Sequence, residues 1–111
     1  MKKVIGNKPI SIIQGDTLSY RMRVGGVSIE NIQKIVFTCR YLNLEKELTL
    51  TQDENYNDVY VLEYTADETE IWKAVETTFD ITIFFVEGVV ASETGIAFIV
   101  REKRNPTTEQ V

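Results

Sequence analysis

Asp53, Asn55 and Asn57 stand at every second position of the stretch Asp53-Glu54-Asn55-Tyr56-Asn57-Asp58. Oxygen-bearing side chains at that spacing open a calcium loop, where they aim hard ligands at one centre. The pattern then breaks. The sixth position is Asp58 where the sharp turn takes glycine, and the twelfth is Tyr64 where a bidentate glutamate belongs. A solvated hairpin loop explains the same residues, because Asn and Asp tolerate turn geometry. Paired carboxylates are the next chemistry to weigh, and they need two carboxyls held in different environments across a cleft. Glu68 with Glu70, or Asp67 with Glu93, supply the residue types. No spacing selects either pair, and residues two apart do not share a helix face.

Other reactive side chains are few. The chain has no histidine, which removes the commonest general base and metal ligand, and its one cysteine excludes an internal disulfide. Cys39 alternates in phase with Ile35 and Phe37, so it reads as a small core residue rather than an exposed thiolate. Gly15 and Gly25-Gly26 lack the spacing of a phosphate-binding loop. The expectation is a protein that is not an enzyme, with no catalytic residue, no cofactor and no metal.

These residues must be placed by a chain of 111 residues, 43% hydrophobic and 26% charged. That is enough for one globular domain with its own core. A net charge of -5 argues against a nucleic-acid partner. Only Val4 and Ile5 follow the basic start Met1-Lys2-Lys3 before Gly6, so no signal peptide is expected, and no apolar run reaches the roughly 18 residues of a membrane helix. The expected division is an N-terminal arm over 1–8, a sandwich domain over 9–102 and a C-terminal tail over 103–111.

The dominant hydrophobic period is two, the signature of half-buried strands. Leu18, Tyr20, Met22 and Val24 form one inward set, and Ile35, Phe37, Cys39 and Tyr41 another. Leu48 and Leu50, then Tyr60, Leu62 and Tyr64, then Phe79, Ile81, Ile83 and Phe85 continue the pattern. Glu87-Gly88 reads as a tight hairpin turn, and Gly95 as a bulge or kink between 89–92 and 96–101. The helix candidate is 66–73, where Thr65 with Glu68 and Asp67 with Glu70 fit the capping-box spacing, and Ile71 and Trp72 would anchor it. A further turn is expected over 31–34. The pattern predicts an all-β fold, an antiparallel sandwich of about seven to eight strands with one short helical turn.

Contact residues are the remaining candidates. Arg21, Arg23 and Arg40 fall on outward phases and would line one basic face. Phe84 is phased opposite the Phe79–Phe85 core set, and with Val36, Leu42, Val90 and Ile99 it would make an exposed apolar patch. Arg21, Arg23, Arg40 and Phe84 are therefore the candidate interface.

The order of motifs carries a resemblance. Gln14-Gly15-Asp16-Thr17 opens the series, and Val36-Phe37-Thr38-Cys39-Arg40 follows. Next come Tyr64-Thr65-Ala66-Asp67-Glu68-Thr69, Phe79-Asp80-Ile81 and Glu87-Gly88-Val89, closing on Gly95, Phe98 and Val100. Over residues 10 to 101 the chain resembles small immunoglobulin-like domains of tailed phages and prophages of Gram-positive bacteria, similar to the N-terminal domain of the phage baseplate upper protein. It departs from them at Gly25–Lys34, where those domains usually carry a D-G-x-P-x-D-L-like turn. The resemblance implies an immunoglobulin-like β-sandwich and a viral structural protein. Its partners would be other tail or baseplate subunits, or further copies of itself, with no membrane, and its location the virion after synthesis in the bacterial cytoplasm. A different class of function is a surface module that binds carbohydrate or a host receptor, for which Trp72 and Tyr56 are the aromatic candidates.

Overall fold

The computed structural model describes residues 7–51, 55 and 57–103. Alternation of large apolar with polar residues becomes strand throughout: β1 (Ile10–Ile13), β2 (Leu18–Met22), β3 (Ile32–Cys39), β4 (Leu44–Glu47), β5 (Thr49–Leu50), β6 (Tyr60–Tyr64), β7 (Val75–Phe85) and β8 (Val90–Arg101). Two sheets result, one ordered β1-β8-β7-β3-β4 and the other β2-β6-β5. Neighbouring strands run antiparallel, except that β1 lies parallel to β8. The exception follows from connectivity. After β1 the chain turns into the other sheet instead of folding back as a hairpin, so β1 is free to join the edge of β8 from either direction.

The inward phases meet in one core. Phe37, Phe79 and Phe98 of the larger sheet are fully buried. Rings from the smaller sheet close on them, Tyr20 edge-on to Phe79 at 5.8 Å and Tyr64 edge-on to Phe37 at 6.1 Å. Such edge-to-face pairs add modestly to the area term that dominates the burial of aromatic rings. The inward sets expected on β2, β6 and β7 are all buried.

Several details differ from the alternation. β3 ends at Cys39, and a turn closed by Asn43 N–H donating to the Arg40 carbonyl puts Tyr41 outside and turns Leu42 back against the core. Tyr41 is 56% exposed rather than inward. The stretch 46–51 is not one strand: the chain leaves the larger sheet after Glu47 and enters the smaller at Thr49. Leu48 is buried at that crossing. The expected turn at 31–34 lies earlier, as a 3-10 turn over Ile29–Asn31, and Ile32 already begins β3. Helix α1 (Ala66–Glu70) is shorter than expected; the Thr65–Glu68 capping box forms. Trp72 is an anchor in the core, but Ile71 is 84% exposed. The segments around Gly95 are one strand, β8, whose register against β7 slips between Phe79 and Ile81. Gly95 has φ +72, and its N–H donates to Asp80 Oδ1, so the irregularity is held by a side chain.

Candidate interaction surface

The four candidate interface residues do not converge. Arg21 and Arg23 face outward from the smaller sheet, on β2 and just beyond it, and Arg23 Nε donates to Asp58 Oδ1 at 3.1 Å. Arg40 follows β3, which belongs to the larger sheet, so the expected single arginine face is split between two surfaces. Alternation gives the phase of a residue within its strand but not the sheet to which the strand belongs. Phe84 lies on the outer face of the larger sheet, with Lys34 opposite on β3 and Val90 on β8. It is half-buried, and the Lys34 ammonium sits 4.9 Å from its ring centroid.

The apolar patch is therefore narrower than expected and displaced. Leu42 packs on the core, and Ile99 pairs with Glu76 and Ser11, toward the other end of the sheet. Val36, half-buried, stays on the same outer face opposite Thr82, and the exposed part of the patch is the β7–β8 hairpin. Val86, Val89 and Val90 are 65, 45 and 53% exposed, beside Phe84. The hairpin is held by Phe85 N–H donating to the Val89 carbonyl and Gly88 N–H to the Phe85 carbonyl, both at 2.9 Å. Val89 was not among the sequence candidates. A signal for it existed: Phe84-Phe85-Val86 and Val89-Val90 flank a two-residue turn, and a hairpin tip cannot bury consecutive residues on both faces.

At the opposite end the motif residues are occupied with one another. Gly15 N–H donates to Thr69 Oγ1 at 3.0 Å, and that hydroxyl donates to the Asp16 carbonyl at 2.7 Å. Gln14 Nε2 donates to the Trp72 carbonyl at 2.7 Å, while Gln14 Oε1 accepts from Lys103 N–H. The two stretches Gln14–Thr17 and Thr65–Thr69 are thus halves of one clasp. It ties the β1–β2 turn, α1 and the end of β8 together. Gly15 has φ +88, a left-handed backbone that favours glycine.

The other candidate chemistry is also placed. Glu93 Oε1 accepts from the backbone and side-chain N–H groups of Asn7. Glu68 caps α1, and the Thr65 N–H it accepts holds its carboxyl below the usual range. One carboxylate of each pair thus serves a neighbour of its own, Glu68 the Thr65 N–H and Glu93 the Asn7 amides. Burial pushes the Cys39 thiol up, and the side chain is fully enclosed. Burial also pushes the Tyr20 phenol to about 12, with a smaller push from Glu93, and the Tyr64 phenol to about 12. Trp72 is edge-on to Tyr64 at 4.9 Å and presents no open ring to a ligand. Asp53, Glu54 and Tyr56 lie outside the described residues. Among the described residues no group of three or more acidic or cysteine side chains could hold a metal ion.

No protein-family model matches the chain, and no curated protein matches it.

Proposed function

We propose that this chain is a structural protein of a phage or prophage virion, a tail or baseplate assembly module without catalytic activity, working through protein–protein contacts on an immunoglobulin-like sandwich. The strand order supports the immunoglobulin-like reading. The smaller sheet, β2-β6-β5, matches strands B-E-D of that fold, and β8-β7-β3-β4 match G-F-C-C′ with β1 added at the G edge. Tyr20 and Phe79, on the strands that carry the inter-sheet disulfide in antibody domains, meet as a ring pair instead. The observation that carries the assembly reading is the exposed hairpin. Val86, Val89 and Val90 are exposed together in one hairpin, and clustered apolar surface of that kind marks protein contact sites.

Sedimentation analysis of the chain alone and mixed with candidate tail proteins tests this. The wild-type chain is expected to form a complex that Val86→Asp with Val89→Asp abolishes while the circular dichroism spectrum stays unchanged. Arg21→Glu, on the other sheet, is expected to leave assembly intact. A hairpin variant that assembles normally, or a wild-type chain that stays alone with every tail protein, rejects the reading.

A further inference from the structure

Tyr41 is the one exposed aromatic side chain among the described residues. Its position is set by the backbone: the turn after Cys39 closes on Arg40, and Asn43 takes φ +58, a left-handed conformation, before β4 begins. The ring stands at the rim of a shallow cleft of about 380 Å³ lined by Thr38, Arg40, Tyr41, Thr77, Thr78 and Asp80. That volume is within the range of small-ligand sites. Lys73 Nζ lies 3.2 Å from the Tyr41 hydroxyl and 5.5 Å from the ring centroid. Asp80 Oδ1 accepts the Gly95 N–H, which fixes the carboxylate in the cleft lining. The Arg40 guanidinium is exposed and, among the described residues, has no ion-pair partner.

We infer that this cleft binds an acidic saccharide. An amphipathic phenol presents a flat apolar face to the C–H side of a pyranose ring. The threonine hydroxyls and Asp80 offer acceptors and donors to sugar hydroxyls. Arg40 in the lining and Lys73 at the Tyr41 hydroxyl outnumber the one lining carboxylate, Asp80, which a backbone N–H already engages, and they set the sign of the ligand. Arg40 has the planar fork that recognises a carboxylate in two bonds. This site is separate from the hairpin and does not depend on the assembly reading. It also relocates the carbohydrate alternative, since Trp72 is enclosed in the core and Tyr41 is not.

The test is a two-dimensional amide NMR titration of the full chain with a short oligogalacturonate, the neutral oligogalactose of the same length, and polyglutamate. The expected result is a saturable shift confined to 38–41 and 77–80 with oligogalacturonate, at least about tenfold weaker with the neutral sugar and with polyglutamate. Tyr41→Ala is expected to weaken binding about tenfold, Tyr41→Phe to retain it, and Arg40→Gln to remove the preference for the acidic sugar. Val86→Asp is expected to bind as wild type. Equal shifts with polyglutamate reduce the cleft to a general anion site and overturn the inference. So do the absence of a saturable shift or unchanged binding by Tyr41→Ala.

Discussion

At the helical end of the sandwich Thr69 is fully buried with its hydroxyl bonded to two strands' connecting turn, whereas at the hairpin end Val86 and Val90 stand in water. The clasp lies where the chain crosses between the two sheets, whereas the hairpin joins neighbouring strands of one sheet, so the two ends meet different demands. The helical end turns its polar atoms inward and pairs them: Gln14 spans from Trp72 to Lys103, and Glu68 closes the cap of α1. The hairpin end satisfies its backbone with three bonds of 2.9 Å and leaves Val86, Val89 and Val90 exposed. A buried hydroxyl without partners costs more than an exposed valine. The first arrangement therefore reads as stability, and the second as surface held available.

The contrast can be broken at the clasp first. Thr69→Val keeps the shape but strands the Gly15 N–H and the Asp16 carbonyl, and should lower stability by about 1–3 kcal/mol. Gly15→Val should cost a similar amount, roughly 1–3 kcal/mol, because a β-branched residue is strained at φ +88. Thermal melts check both, and an unchanged melting temperature at either position would make the clasp ornamental. Alkali should sharpen the same contrast, because Tyr64 is edge-on to Trp72 near that end. Tyr20 and Tyr64 titrate at about 12 in the fold. They titrate at about 10 in the unfolded chain. The folded pKa values are raised, so this stability is fully present below pH about 10 and lost as pH rises through about 12. Denaturant titrations across that window should show a decline on the order of 1–2 kcal/mol per phenol, which Tyr64→Phe partly flattens. The smallest effect belongs to the hairpin. Val86→Asp and Val89→Asp should each change stability by no more than about 0.5 kcal/mol. A large drop would mean that the tip is packed rather than presented.

The strands were legible because their inward residues are consistently large and their outward residues polar. Leu18, Tyr20 and Met22 against Ser19 and Arg21 leave one solution, since a slip by one residue would bury an arginine. The alternation failed where a strand stopped. Nothing in Cys39-Arg40-Tyr41-Leu42 marks its end, and the turn that exposes Tyr41 depends on a left-handed Asn43. Sheet membership is equally hidden: outward phase puts the arginines on one face only if their strands share a sheet, and β2 and β3 do not. The clasp was half visible. Thr65 and Glu68 announce their own bonds by spacing, but the bond from Gly15 to Thr69 joins residues 54 positions apart and has no local signature. Phe84 and Val90 make the hairpin patch visible in the sequence, but alternation does not tell that Leu42 and Ile99 lie away from it.

The parallel pairing of β1 with β8 decides how the domain meets tension. Ile10 to Ile13 lie beside Phe98 to Arg101 in the same direction, so the chain enters at one end of this ladder and leaves at the other. Pulling the two flanks apart drags β1 backward and β8 forward, sliding one strand along its neighbour. All the rungs then resist together, instead of opening in turn as they would if the strands were peeled from one end. The Gln14–Lys103 and Gln14–Arg101 bonds lie just past the last rung and add to the same line of load. A force along the chain thus falls on this seam, and the hairpin and the Tyr41 cleft on the rest of the sheet stay off its path.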